Sequence, residues 1–334
     1  MEPKFTINHK IVNYIVDISS LVGRLSLEKR DLHLRKEQRI RSIQSSLAIE
    51  SNPLTLEQVT GILNGKRILA HPKDIREVEN AYQAYDLAFT LNPYKSKDLL
   101  LAHKLLTQDL IKESGKFRNR EVAVYSGENI VHIGAKADFV PKLVQNLLKW
   151  AEKSEVHTLI KSCIVHFELE IIHPFADGNG RIGRLWQSLI LSQWDSLFEW
   201  LPIETIVYQH QQRYYQALNS SNIKNDSTDF IEFMLEAILT TLNDYSINKM
   251  SDKMSDKMSD KMSDKMSDKI SDKEQLIFQR IKSYLSENAM ITNQKAVQLL
   301  ELSPATARRY LAKFVKLGLL TAQGENKNRI YYIE

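Results

Sequence analysis

The chain has 334 residues, 43% of them hydrophobic and 26% charged, with 11 Gly, 8 Pro and a single cysteine, Cys163. At about 100–200 residues per domain this predicts two or three folded domains, and it excludes a disordered or collagenous chain, an internal disulfide and a multi-thiolate metal site. The formal net charge of +4 is uneven: Glu274–Glu334 carries nine Lys and Arg against five Asp and Glu, the rest balances, and an anionic partner is expected for the C-terminal segment alone.

Taken in order, the first 249 residues read as mostly helical. Apolar residues recur at helical spacing over Ile11–Leu25 and Glu37–Ile49, and Asp74 caps a run of good helix formers to Leu87. Further helices are predicted at Ser96–Thr107, Phe139–Lys153, Glu155–Ile172, Arg181–Gln193, Gln209–Asn219 and Thr228–Tyr245. Between them, Val122-Ala-Val-Tyr125 and Ile130-Val-His-Ile133 flank Ser-Gly-Glu-Asn, a short β-hairpin. From Met250 to Lys273 come five copies of Met-Ser-Asp-Lys and one Ile-Ser-Asp-Lys. A four-residue period rotates the apolar position by about 40° per repeat, so no buried stripe forms and a solvated linker, transiently helical at most, is expected, its conformation left open. Beyond it, Glu274–Glu287, Gln294–Leu300 and a helix opened by Ser303-Pro304 and running to Lys316 precede two strands around Leu319–Ala322 and Arg329–Ile333. Three helices followed by a hairpin is the winged helix-turn-helix order. No apolar run reaches the ~18 residues of a membrane span, and the first five residues lack a leader's pattern, so a cytoplasmic protein without membrane contact is expected.

The stretch that carries chemistry is Ile171-Ile-His-Pro-Phe-Ala-Asp-Gly-Asn-Gly-Arg-Ile-Gly-Arg-Leu-Trp. Pro174 prevents simple continuation of the preceding helix, and Gly178 and Gly180 free the backbone ahead of a second one. Glycines before a helix N-terminus let successive N–H groups face an anion, and the helix dipole adds positive potential. Arg181 and Arg184, three apart, reach phosphate oxygens from one side of the first turn. Asp177 offers a hard oxygen suited to Mg²⁺, and a neutral His173 can take a proton from an attacking hydroxyl. Base, metal ligand, anion nest and two guanidiniums together describe phosphoryl or nucleotidyl transfer.

On those residues the chain resembles the Fic (filamentation induced by cAMP) family, since His173-Pro-Phe-Ala-Asp-Gly-Asn-Gly-Arg-Ile-Gly-Arg184 matches every fixed position of its signature. Gly115-Lys-Phe-Arg118 with the hairpin resembles the family's flap, Val122, Ala123, Val124, Tyr125, Ile130, Val131 and His132, which docks a target segment by strand addition. Leu201-Pro202-Ile and Arg213-Tyr-Tyr-Gln-Ala-Leu resemble the segment after the motif helix. The resemblance, which extends to most of residues 5–245, implies a mainly α Fic-fold core with a β-hairpin flap, to which the C-terminal element order adds a small α/β winged-helix domain. Its expected divisions are 1–95 (with the inhibitory helix at about 37–50), 96–249 as catalytic core, 250–273 as linker and 274–334. It implies Mg²⁺-dependent transfer of AMP from ATP to a Ser, Thr or Tyr hydroxyl of a target protein or of the chain itself. His173 is then the base, Asp177 the Mg²⁺ ligand, Gly178, Asn179 and Gly180 the α/β-phosphate cradle, Arg181 a phosphate contact and Arg184 the γ-phosphate ligand. Phe175 anchors the loop.

Ser46 and Glu50, in Ser45-Ser-Leu-Ala-Ile-Glu-Ser-Asn, resemble the family's inhibitory motif, (Ser/Thr)-x-x-x-Glu-(Gly/Asn), with Ser51 in place of Gly or Asn. A carboxylate paired with Arg184 removes the guanidinium that holds the γ-phosphate. In some family members the same Glu assists removal of AMP, so reverse activity is an open expectation, as is a homodimer.

His132 reads equally as a placement residue or an ordinary surface histidine, His103 as a packing residue, and Cys163, Trp186 and Trp194 as core. Tyr214 and Tyr215 read as nucleotide-pocket lining or as packing. In the C-terminal domain Arg308, Arg309, Lys313 and Lys316 on the third helix, with Lys327 and Arg329 in the wing, are candidate DNA contacts. Two rival readings follow: a DNA-binding regulator whose core senses a nucleotide, which leaves the base His173 without purpose, or transfer of another group. Gly180 favours AMP over phosphate transfer.

Overall fold

The computed structural model describes residues 2–26, 32–126, 129–267, 272–285, 288–300, 302–324 and 329–333. They divide into two compact units, Met1–Ile247 and Asn248–Glu334.

The first unit is helical but for one hairpin. Its elements are α1 (His9–Ser26), α2 (Leu32–Ile49), α3 (Leu56–Leu63), α4 (Pro72–Ala88), α5 (Ser96–Thr107), β1 (Ala123–Ser126), β2 (Asn129–Ile133), α6 (Val140–Lys153), α7 (Thr158–Ile172), α8 (Asn179–Ser192), α9 (Ile203–Gln209), α10 (Gln211–Lys224) and α11, which starts at Thr228. The centre is α7, in which Leu159–Phe167, Leu169 and Ile172 are all buried. A helix apolar on every side must be enclosed on every side. One cluster covers it with α1, α9, α10 and α11 through Ile18, Ile206, Tyr214 and Phe230. A second, with Ile43, Tyr85, Leu99, Leu148, Phe175 and Trp186, joins α2, α4, α5, α6 and α8. Cys163 and Trp186 are fully buried, as expected of core residues, and Trp194 packs at the edge of the first cluster.

The sequence reading missed α3 and α9, and α11 departs from it. This helix runs to Ser267, through most of the Met-Ser-Asp-Lys repeat that the period argument assigns to a linker. The period does forbid a buried stripe, yet nothing in it ends a helix, because no Gly or Pro occurs between Thr228 and Ser303. Among the described residues no helix is long and apolar enough to cross a membrane.

The second unit contains α12 (Asp272–Leu285), β3 (Ile291–Thr292), α13 (Asn293–Leu300), α14 (Pro304–Lys316), β4 (Thr321–Gln323) and β5 (Ile330–Tyr332), with sheet order β3-β5-β4, all antiparallel. Ser303 caps α14 by accepting the Thr306 N–H, with Pro304 at the first position. Phe278, Ile281, Leu311, Phe314 and Tyr331 form a core of its own.

Candidate active site

The signature loop lies between the two most deeply embedded helices. Where α7 ends, His173 adopts φ 51° and ψ 62°, the left-handed region, and its N–H still reaches Leu169 O at 2.9 Å. That single left-handed residue turns the chain out of α7, and Pro174 then forbids return to helix. Asn179 closes the loop: its Oδ1 accepts the Phe175 N–H and its Nδ2 donates to Phe175 O, both at 2.9 Å. Phe175 is fully buried and stacks on His103, with centroids 3.7 Å apart and planes 6° from parallel. The loop is thus set by its own side chains before any ligand arrives.

His103, read from sequence as packing, is buried as expected and also bonds the loop. Its Nδ1 accepts the Gly115 N–H at 3.1 Å, so Nε2 carries the proton and donates to Asp177 O at 2.9 Å. Burial pushes its pKa down to about 4, so it stays neutral and keeps both bonds. Asp177 is half exposed, and its Oδ1 accepts the Gly178 N–H at 2.6 Å and Arg181 Nη2 at 3.2 Å. Gly178, at φ 85°, opens α8, whose first turn holds Asn179, Gly180 and Arg181. The side chain of Asn179 is therefore engaged in the loop, and the backbone N–H groups of this turn face whatever anion sits at the helix end.

Both arginines of the signature are buried and both meet carboxylates. Arg184 donates through Nε to Ser46 Oγ at 3.1 Å and through Nη2 to Ser46 O at 3.0 Å and Glu50 Oε1 at 2.7 Å. Glu50 Oε1 also lies so close over Gly180 that a Cβ there would overlap it. Arg181 Nη1 lies 3.5 Å from Glu77 Oε1 on α4, a residue the sequence reading did not single out. The other oxygen of Glu77 accepts from Asn52 Nδ2 at 2.8 Å, two residues past Glu50. Ser51, between them, has φ 69°.

His173 is pushed down to about 4, first by burial and also by the nearby Arg118 guanidinium, against the raising influence of the hydrogen bond to the Glu170 carbonyl and of Glu50. Its imidazole is neutral near pH 7, the form a base requires. Glu170, one turn earlier, is pushed up to about 7, again by burial first. Its Oε1 has no hydrogen-bond partner among the described residues. Tyr214 is buried and donates to His166 Nε2 at 3.1 Å, whereas Tyr215 is exposed. His166 in turn donates through Nδ1 to Gln187 Oε1 at 2.6 Å.

The flap pairs Ala123 with Ile133, Val124 with His132 and Tyr125 with Ile130. The side chains of residues 124–131 lie outside the described residues. His132 is fixed: Nε2 donates to Ile171 O at 2.7 Å and Nδ1 accepts from Asn222 Nδ2 at 3.3 Å. It is part of the framework beside His173. In the second unit Arg308, Arg309, Lys316 and Arg329 are exposed, Lys313 is tied to both oxygens of Glu274 at 2.8 and 2.7 Å, and Lys327 lies outside the described residues.

The sequence profile of the Fic/DOC family matches residues 93–191. A solved Fic family protein from Desulfovibrio desulfuricans G20 superposes with a TM-score of 0.75 at 36% identity, covering 100% of this chain and 98% of that one. Fic-1 from C. elegans (residues 134–508) shares the fold, with a TM-score of 0.61 at 21% identity over 73% of each chain. The chain belongs to the Fic/DOC family. It is also similar to the "Protein adenylyltransferase Fic" of Drosophila erecta, 28% identical over an alignment of 226 positions that covers 63% of this chain and 42% of that protein, and to its Drosophila melanogaster counterpart at the same identity. The chain thus spans less than half the length of these curated relatives.

Proposed function

We propose that the first unit transfers AMP from ATP to a hydroxyl side chain of a target protein and is held in check by Glu50. The observation that carries this reading is the shared position of Glu50 Oε1, on Arg184 Nη2 at 2.7 Å and over Gly180 at the start of α8. A carboxylate seated at an anion-binding helix end stands where a phosphate oxygen would sit, so Glu50 and a fully extended triphosphate compete for one place.

In the transfer itself, the target oxygen attacks the α-phosphorus, its proton passes to the neutral His173 ring, and the bond to the β-bridging oxygen breaks to release pyrophosphate. Arg181, Arg184 and the N–H groups of Gly178, Asn179 and Gly180 hold the polyphosphate in line, and the flap holds the target strand. Mg²⁺ would be held by Asp177 and would neutralise charge on the phosphates. The residues fit that ion. Asp177 presents a half-exposed carboxylate beside the start of α8, and Mg²⁺ is ordinarily held by one or two carboxylates together with phosphates and waters. Glu50 would also serve the reverse reading, in which a water rather than pyrophosphate removes AMP.

The test uses ATP labelled on the α-phosphate, Mg²⁺ and cell lysate, with the wild type, Glu50→Gly and His173→Ala. Strong label with Glu50→Gly, weak label with wild type and none with His173→Ala is expected. Label that persists in His173→Ala would overturn the role of the base, and equal label in wild type and Glu50→Gly would overturn the brake.

A second reading concerns the second unit alone. Around α14 the buried Ala307, Tyr310, Leu311 and Phe314 fall on one side, and the exposed Ala305, Arg308, Arg309, Ala312 and Lys316 share the opposite stripe. Two alanines flanking two arginines let a helix approach base edges closely while the guanidiniums reach guanines and phosphates. This favours duplex DNA as the partner, with Lys313 left out because Glu274 holds it. Anisotropy of a labelled duplex with the full chain should show affinity that falls steeply with salt and drops about tenfold or more in Arg308→Ala/Arg309→Ala. Unchanged affinity in that variant, or none at low salt, would refute it.

A further inference from the structure

We propose that Arg118 is the positioning residue of the site: one buried guanidinium joins the base-bearing loop to both roots of the flap, so that a target strand on the flap and the His173 ring keep a fixed register. The proposal rests on the reading of His173 and the flap given above.

Arg118 precedes β1 in the segment after α5 and is 3% exposed. All four of its side-chain acceptors are backbone carbonyls. Nε donates to His173 O at 2.7 Å, Nη1 to Arg120 O at 2.8 Å, and Nη2 to Ala135 O and, at 3.3 Å, to Ile172 O. Its own N–H donates to Pro174 O at 3.0 Å. The acceptors sort into two groups. Ile172, His173 and Pro174 are the turn that carries the base, whereas Arg120 and Ala135 stand just outside the two ends of the hairpin, whose root is closed by Gly134 N–H to Val122 O at 3.1 Å.

Burying a cation costs several kcal/mol unless its donors are all met, so a guanidinium in this place must be held by its surroundings. Here the carbonyls themselves supply that hold, in a fork geometry that an ammonium cannot copy. The strain it restrains is local: a residue with a Cβ in the left-handed region is disfavoured by about 1–2 kcal/mol, and His173 sits there with its carbonyl fixed by Arg118. Two weaker ties follow the same path, Ala135 N–H to Ile172 O at 3.3 Å and His132 Nε2 to Ile171 O at 2.7 Å. Neither reaches His173. Gly134 packs into the join, since a Cβ there would stand 2.8 Å from Arg118 Nη2 and 3.3 Å from His173 Cβ.

The experiment uses the full chain in the Glu50→Gly background, with Arg118→Lys, which keeps the charge and loses the fork, and Gly134→Ala, which crowds the guanidinium without removing it. Three quantities are read: transfer of label from ATP to lysate proteins, Mg·ATP affinity by calorimetry, and amide hydrogen exchange over residues 120–124 and 172–173. Transfer should fall roughly 10- to 100-fold while Mg·ATP affinity stays within about twofold, because misplacement costs rate rather than nucleotide binding. Exchange should accelerate in both segments together. Transfer that stays at the parent level, or affinity that falls in step with transfer, would overturn the proposal. If Arg118→Lys does not fold, Gly134→Ala carries the same expectation. If the Glu50→Gly parent transfers no label, the transferase reading fails by itself; coupled acceleration of exchange would then still support Arg118 as the join, and unchanged exchange would reject it.

Discussion

Arg184 and Arg181, one turn apart on α8, are each met by a carboxylate from another part of the fold: Glu50, in the turn just past α2, at 2.7 Å and Glu77 of α4 at 3.5 Å. The two carboxylates are also linked through the short turn after α2, since Asn52 Nδ2 donates to Glu77 Oε2. The anion nest is therefore flanked by negative charge on both guanidiniums.

From that pairing, Glu77→Gln should tighten Mg·ATP. The amide retains an acceptor for Asn52 but removes a unit charge beside a ligand of several negative charges. At the distances involved and in partial burial, a gain of about 1 kcal/mol, roughly fivefold in Kd, is expected. Calorimetry with ATP in the presence of Mg²⁺ reads it directly. Weaker binding would show instead that Glu77 orients Arg181 and that the charge is secondary.

Ser51 sits at φ 69°, where a glycine is at ease and a serine is strained. Ser51→Gly should relieve about 1 kcal/mol and raise Tm by roughly 2–4 °C, provided the substitution does not gain more freedom in the unfolded chain. Because this residue ends the turn that presents Glu50, the same change should lower basal label transfer in the wild-type background. A higher Tm with unchanged transfer would separate the strain from the brake.

His103 makes its two loop bonds only while neutral and with the proton on Nε2. His103→Phe keeps the stack on Phe175 but leaves the Gly115 N–H and the Asp177 carbonyl without their partner. Each unmet buried group costs about 1–3 kcal/mol, so a Tm several degrees lower is expected. Thermal unfolding near pH 7 measures it, and a Tm equal to wild type would mean water replaces the ring.

Much of this site was legible in the sequence because its parts are local. Spacing placed His173 and Asp177 on one loop and Arg181 and Arg184 at the start of the helix that follows it, and the stop at Pro174 and the glycine at 178 are punctuation that a sequence displays. Glu50 was legible through a motif and a chemical argument, a carboxylate needing a guanidinium, even though 134 residues separate the pair. Glu77 and Arg118 carry no such signal. Their partners are a long-range arginine and a set of backbone carbonyls, which only the folded chain brings within reach. The short helix α3 was in fact announced by Thr55-x-x-Gln58, a capping box that the structure closes in both directions, and its 8 residues were too few for periodicity to register. The conformation of the repeat stayed open from sequence for the opposite reason: a rule about buried stripes says nothing of a helix that needs none, and this one runs to Ser267.

Glu170 supplies a test by pH. Its carboxyl has an ordinary value of 4.5 and is pushed up to about 7, chiefly by burial, with the charge of Glu50 in the same direction and Arg184 opposing. Between those values the folded chain keeps a proton that the unfolded chain has released. The group's contribution to stability is therefore complete below about 4.5 and is lost as pH rises through about 7. Glu170→Gln imitates the protonated form at every pH and removes the titration. Measured as Tm at pH 5 and pH 7.5, the variant should gain on wild type as pH rises, by at most about 3 kcal/mol at about 1.4 kcal/mol per unit. Its pH-independent offset, which includes any loss of contact with His166 at 3.8 Å, cancels in that comparison. A gap that stays constant from pH 5 to 7.5 would place the carboxylate in solvent, ionised throughout.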